Sequence, residues 1–183
     1  MSRIYVCALS QIDDVSHSSG ASHLLSVVSE NTEVPRPASI SPANHLYLGF
    51  NDIVVPAAGL VAPGVDHIDR LLAFITGWDQ TAPMLIHCWA GVSRSTAGAF
   101  IACCALNPQT DERAIAAELR LNSPKATPNA RMVELADMAL GRAGRMQTAI
   151  GEIGRGAYAY EGDLFSMPAR WQSDDDLLAS GKP

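Results

Sequence analysis

The sequence is poor in the features that define several protein classes. It has only four cysteines, and no two of them stand in CxxC spacing, so neither a disulfide framework nor a thiolate zinc site is indicated. His17, His23, His45 and His67 are scattered without ligand spacing, and no metal or cofactor is expected. There is no G-x-x-x-x-G-K-[ST] run, which removes the usual signal for nucleotide binding. No segment approaches the roughly 18 unbroken apolar residues of a membrane span. The short apolar stretch after Arg3 is broken by Gln11, Asp13 and Asp14, too soon for a signal peptide. Positive charge is also scarce: 13 Lys and Arg against 19 Asp and Glu give a formal net charge of −6. That balance argues against nucleic acid as a partner. Few cysteines without a framework favour a reducing cytoplasm.

Apolar residues make up 48% of the 183 residues, enough for the core of a single domain. Their pattern alternates between strands and helices. Strands are predicted near 3–9, 23–29, 45–50 and 84–88, and Pro35, Pro37 and Pro42 mark a connection between the second and third. Ile68, Leu71, Leu72 and Ile75 fall at helical spacing, predicting a helix over 66–78 with Asp66 as N-cap and Asp69 at N3. A second helix follows position 94 and stops at Asn107-Pro108. A third starts from Thr110 as N-cap and runs to about Leu121. A fourth takes Thr127 as N-cap and Pro128 at N1, carries Met132, Leu135, Ala136 and Leu140 on one face, and ends at Gly141. Alternation of this kind implies an α/β fold in three layers, a mostly parallel central sheet of about four to five strands flanked by helices on both faces.

The body of the domain is assigned to residues 1–141. Beyond it Gly144, Gly151, Gly154, Gly156 and Gly162 interrupt any periodicity. Residues 142–183 read as a C-terminal extension packed on the same domain through Tyr158, Tyr160, Phe165 and Trp171, with a polar tail beginning at Asp174-Asp175-Asp176.

The chemistry concentrates in His87-Cys88-Trp89-Ala90-Gly91-Val92-Ser93-Arg94-Ser95-Thr96. The apolar Met84-Leu85-Ile86 reads as a buried parallel strand. Gly91 permits a tight loop where backbone approaches a ligand. The small, apolar helix after Arg94 presents its N-terminus to that loop, and a strand, a compact loop and a helix N-terminus together make an anion site. A cysteine in this place is a candidate nucleophile, and Arg94 supplies a fork for two phosphate oxygens that Lys would not match.

Cysteine must act as thiolate, and a thiol of ordinary pKa, about 8.5, is only a few per cent ionised at neutral pH. Lowering such a pKa by about three units takes about 4 kcal/mol. A helix dipole supplies at most about 2 kcal/mol. Loop N–H groups, the Arg94 charge and the Ser95 hydroxyl are expected to provide the rest.

The segment Ile86 to Ser95 closely resembles the signature loop of the cysteine-dependent protein tyrosine phosphatase superfamily, nearest to the compact dual-specificity type. The likeness is dense over about twelve residues and extends loosely from about Ser22 to Leu140 through the order of elements. The resemblance implies a protein tyrosine phosphatase-like fold and two-step hydrolysis of phosphate monoesters through a cysteinyl-phosphate. It also implies that residues 89–94 (Trp89, Ala90, Gly91, Val92, Ser93 and Arg94) form the phosphate-binding loop, into which inorganic phosphate or sulfate would fit. Cys88 is then the nucleophile, Arg94 the clamp, and Ser95 the hydroxyl that stabilises the departing thiolate.

The resemblance further implies a general acid, an Asp on an upstream loop. Asp52 stands just past the strand at 45–50, at the carboxyl edge where open α/β sheets bind ligands. Its alternative reading is a turn residue. Asp66 is explained as a helix cap, and Asp79 faces the other end of the sheet. His87 is expected to be a buried support that bonds nearby backbone, because neighbours on a strand point to opposite faces. Trp89 would line the rim or simply pack. The Pro128-Asn129 step resembles one found behind the phosphate loop in bacterial members, so Asn129 is either a loop support or an ordinary first-turn residue.

Cys103 and Cys104 read as core residues. Cys7 could form a reversible disulfide with an oxidised Cys88 if the two lie close. Phosphoinositide-cleaving members of the family it resembles tend to carry lysines in this loop; none stands between Cys88 and Arg94, so the resemblance implies a singly phosphorylated protein or small phosphate monoester as substrate. A rhodanese-like sulfurtransferase, a phospho-binding module without activity, and a chance match on an unrelated α/β domain remain as alternatives. The sequence leaves the oligomeric state open.

Overall fold

The computed structural model describes residues 2–171 of the chain. The residues predicted as a polar tail at 174–176 lie outside the described range. Five strands form one sheet in the order β3-β2-β4-β1-β5. β1 (Arg3–Ala8), β2 (His23–Val28), β3 (His45–Gly49) and β4 (Met84–Cys88) run parallel, while β5 (Phe165–Pro168) is antiparallel to β1. The architecture is α/β, with a mostly parallel sheet covered by helices on both faces.

β4 holds the centre. Ile86 is flanked by Val6 of β1 on one side and Leu25 of β2 on the other. With helices above and below as well, every residue of β4 is buried. This is why its sequence is a continuous apolar run rather than an alternation. Successive side chains still divide between faces. Ile4, Val6, Leu25, Met84 and Ile86 join the larger core, whereas Cys7, Leu24 and Leu85 meet Ile12 and Val15 of α1 (Ile12–Ser19) on the other face.

The larger core surrounds α3 (Arg94–Leu106), in which every residue except Ala105 is buried. Its small side chains let it close on β4: a Cβ added at Gly98 would stand 3.3 Å from Ile86 Cγ2. α2 (Val65–Gly77), α4 (Glu112–Asn122), α5 (Ala130–Ala139) and α6 (Arg145–Ile153) pack around it. A buried ion pair ties these helices together. Glu112 of α4 accepts from Arg142 Nη1 at 2.7 Å and from Arg145 Nε at 3.2 Å, and Arg142 Nη2 also donates to the carbonyl of Cys104 at 2.6 Å. Among the described residues no helix is long and apolar enough to cross a membrane.

Three caps differ from expectation. Gly64 caps α2 and its N–H donates to His67 Nδ1, so Asp66 is a first-turn acid instead. Asp111, not Thr110, accepts from Arg113 N and caps α4. Asn129, not Thr127, caps α5 by accepting from Met132 N, because the Thr127 hydroxyl is committed to Gly156 N. The extension contains α6 and β5, and Phe165 is buried. Tyr158 and Tyr160 are exposed and stack edge-on with each other rather than on the body.

Candidate active site

Cys88 is the last residue of β4, and α3 starts six positions later at Arg94. Between them the chain turns in a loop whose carbonyls point outward. Trp89 O accepts from Leu9 N, Ala90 O from Gly162 N, Val92 O from Thr127 N, and Ser93 O from Asn129 N. In a trans peptide the C=O and the following N–H point in opposite directions. Outward carbonyls therefore turn the N–H groups of Ala90, Gly91, Ser93 and Arg94 inward. The Gly91 N–H reaches Cys88 Sγ at 3.2 Å, and the Ser95 hydroxyl lies 3.1 Å from the same sulfur. Ser93 is the N-cap residue of α3 but makes no capping bond, so the first-turn N–H groups of that helix are free to face an anion.

Gly91 is required for two reasons. Its φ is +71°, and a Cβ there would sit 3.0 Å from Ala8 N and Cys7 C at the end of β1. The loop is pressed against the neighbouring strand, and only glycine fits that approach.

Arg94 is held from behind. Its Nη1 donates to Phe50 O at 2.7 Å and approaches the Ser29 hydroxyl at 3.4 Å. Among the described residues its buried Nε has no acceptor. A buried, charged donor without a partner is costly, and the guanidinium fork is suited to a bound oxyanion.

Asp52 follows β3 in a loop organised by Asn51, whose Oδ1 accepts from Val61 N and whose N–H donates to Val61 O. The structure brings Asp52 to the edge of the loop between Cys88 and Arg94. Asp52 Oδ1 accepts from Ser93 Oγ and from Asn129 Nδ2, each at 2.8 Å. Asn129 thus caps α5 with its oxygen and tethers Asp52 with its nitrogen. Trp89 is 65% exposed and stands on the rim rather than in the core.

His87 points away from Cys88. Its Nδ1 is 3.3 Å from Cys88 O, and its Nε2 is 2.7 Å from Ser26 Oγ, which also contacts His45 Nε2 at 2.8 Å. Burial pushes the His87 pKa down to about 4, with smaller contributions from the nearby His45 and Arg94 charges, so the ring is neutral at pH 7. Ser26, Ser29 and the Phe50 carbonyl lie outside the signature run. Of these only Ser26, a polar residue inside the apolar strand His23–Val28, leaves a signal in the sequence.

Cys7, Cys88, Cys103 and Cys104 are all free thiols. Burial raises the thiols of Cys7 and Cys103 to about 12 and that of Cys104 further still. Cys88 differs from them in being met by a backbone N–H and a hydroxyl.

The fold is the one shared by protein tyrosine and dual-specificity phosphatases of known structure. The Cydia pomonella PTP-2 phosphatase aligns with a TM-score of 0.59 at 18% identity, over 74% of this chain and 84% of that one. Human DUSP28 gives 0.59 at 13% identity over 76% and 92%. The Yvh1 phosphatase domain from Chaetomium thermophilum gives 0.55 at 16% over 78% and 93%. No protein-family model and no curated protein matches the sequence.

Proposed function

We propose that the chain is a cysteine-dependent phosphate monoester hydrolase, acting on a phosphotyrosine-type protein substrate or a dual-specificity one. The observation that carries this reading is the convergence on one loop of Cys88 Sγ, inward N–H groups and the unpartnered Nε of Arg94, with Asp52 tethered at the loop's edge.

In the first step the Cys88 thiolate attacks phosphorus. The bond to the leaving oxygen breaks, and Asp52 gives that oxygen its proton. The loop N–H groups and Arg94 hold the equatorial oxygens, whose charge is spread in the transition state. In the second step water attacks the cysteinyl-phosphate, Asp52 takes the water proton, and the S–P bond breaks to release phosphate. The 3.1 Å approach of Ser95 Oγ to Cys88 Sγ supports its role in stabilising the thiolate that departs. Asp52 Oδ1 receives both tethering bonds, so Oδ2 is the oxygen assigned to proton transfer.

The loop carries no lysine between Cys88 and Arg94, which supports a singly phosphorylated substrate. Four free cysteines support a reducing, cytoplasmic setting.

The test is hydrolysis of aryl phosphates. Wild type is expected to turn over 4-nitrophenyl phosphate, inhibited by vanadate, and Cys88→Ser to abolish activity. Asp52→Asn is expected to slow a substrate with a poor leaving group by about 10²–10⁴-fold while sparing an activated one. Thiosulfate turnover without phosphatase activity would overturn the assignment in favour of a sulfurtransferase.

A further inference from the structure

A groove of about 930 Å³ begins at Val92 and Ser93 of the catalytic loop and runs beside it. One wall is the segment after β3, carrying Asp52, Val54 and Val55. The other is the segment between α6 and β5, carrying Arg155 and Tyr158.

The second wall is fixed through its backbone. Arg120 donates to Gly154 O at 2.8 Å and to Pro124 O and Ala126 O at 2.8 and 2.9 Å. Gly156 N donates to Thr127 Oγ1, and Ala157 N to Pro124 O. Gly156 lies so close to residues 125–126 that a Cβ would come within 2.6 Å of Ala126 O. Further on, Gly162 N is bonded to Ala90 O of the catalytic loop.

The two large side chains on this wall, Arg155 and Tyr158, face solvent, with Tyr158 stacked edge-on against Tyr160. Tyr158 is 84% exposed, and across the groove Val55 is 70% exposed. Arg155 is exposed and makes no side-chain hydrogen bond or ion pair among the described residues. Among the described residues lining the groove it is the one cation, and Asp52 the one anion.

We infer that this groove receives the polypeptide flanking the phosphorylated residue of a protein substrate, with an acidic side chain of that segment paired to Arg155. The inference rests on the hydrolase reading above and names the substrate class for it. The groove shares Val92, Ser93 and Asp52 with the loop around Cys88, so chain on either side of a residue bound there would enter it. Val54, Val55 and Tyr158 offer apolar contact to an extended segment. The whole chain is acidic, so attraction for an acidic segment must be local, and Arg155 supplies it within the groove.

The experiment compares phosphotyrosine peptides that carry Glu, Ala or Lys beside the phosphoresidue. Binding to Cys88→Ser is read by fluorescence anisotropy, and turnover by wild type is referenced to 4-nitrophenyl phosphate. The Glu peptide is expected to be favoured over the Lys peptide about tenfold in both readouts, through KM in turnover. Arg155→Glu should reverse that ranking, and Arg155→Gln should flatten it. An unchanged ranking in Arg155→Glu, or no ranking in the parent protein, overturns the inference. So does equal loss on peptides and 4-nitrophenyl phosphate, which would mark Arg155 as structural. Preference confined to free doubly phosphorylated small molecules would assign the groove to a different ligand and also overturn it. Ranked binding to Cys88→Ser without hydrolysis by wild type would instead remove the hydrolase reading and leave the groove assignment standing.

Discussion

His87 illustrates what a single buried side chain does to stability. Its ring is enclosed between β2 and β4 and bonded to Ser26, and burial holds its pKa near 4 against an ordinary 6.5. The folded state therefore binds this proton less readily than the unfolded chain. The resulting stability is fully present above pH 6.5 and is lost as pH falls from 6.5 toward 4. At about 1.4 kcal/mol per unit this is about 3 kcal/mol. Denaturant midpoints of the parent protein and His87→Asn across pH 4–7 should converge at the acidic end; parallel curves would refute the assignment. His23, His45 and His67 shift in the same direction, so only the difference between the two proteins isolates His87. The residue scale was the most legible in the sequence. Cys88, Arg94, Ser95 and Gly91 lie in one run, because strand, loop and helix N-terminus are consecutive. The Phe50 carbonyl and Ser29, which steer Arg94, stand just past the ends of β3 and β2 and leave no local mark.

At the scale of elements, the four parallel strands and the helices around them were readable from apolar runs and periodicity. Three elements were not. α1 is short and mostly polar, with Asp13, Asp14 and four further residues Ser or His among its eight. α6 carries Gly151 inside it, and β5 spans four residues at a sheet edge. Such pieces are fixed by what they pack on, not by their own propensity. The shifted caps have the same origin, since Thr127 lost its capping role to a contact with Gly156, far along the chain. The turn after Cys88 gives a cleaner prediction. Gly20 and Gly91 both have positive φ, but a Cβ at Gly20 meets nothing within 4 Å whereas one at Gly91 meets the β1 backbone. Gly20→Ala should cost about 1 kcal/mol of left-handed strain and leave aryl-phosphate turnover intact. Gly91→Ala should cost more and lower turnover at least about tenfold. Equal effects on unfolding and activity would show that the loop is not pressed against β1.

Across the whole molecule, one ion cluster joins helices on the large face of the sheet. Glu112 and Arg142 have side chains only 4% and 7% exposed. Burial opposes the Glu112 charge, yet the bonds it receives from Arg145 and Arg142 hold its carboxyl below the usual range. Glu112→Leu would strand the Arg142 guanidinium in the interior. Removing one partner of a buried pair costs about 3–5 kcal/mol, to be read from urea unfolding at pH 7. A loss below about 1 kcal/mol would mean that water reaches the pair. The cluster links helix 112–122 to a stretch that begins at 142, a relation across distance that no local pattern in the sequence encodes.

The antiparallel strand β5 also sets an order of events during synthesis. Arg3 pairs with Pro168 and Val6 with Phe165, so the first strand made gains its outer neighbour only after nearly the whole described chain exists. Contacts of such long sequence separation form late and slowly. The Ala90–Gly162 bond and the Arg155 wall belong to the same final stretch. A growing chain can assemble the parallel strands and the loop around Cys88 first. The wall beside that loop and the clasp on its Ala90 carbonyl follow when residues 154–168 arrive, so the groove is completed at the end of folding rather than together with the turn after Cys88.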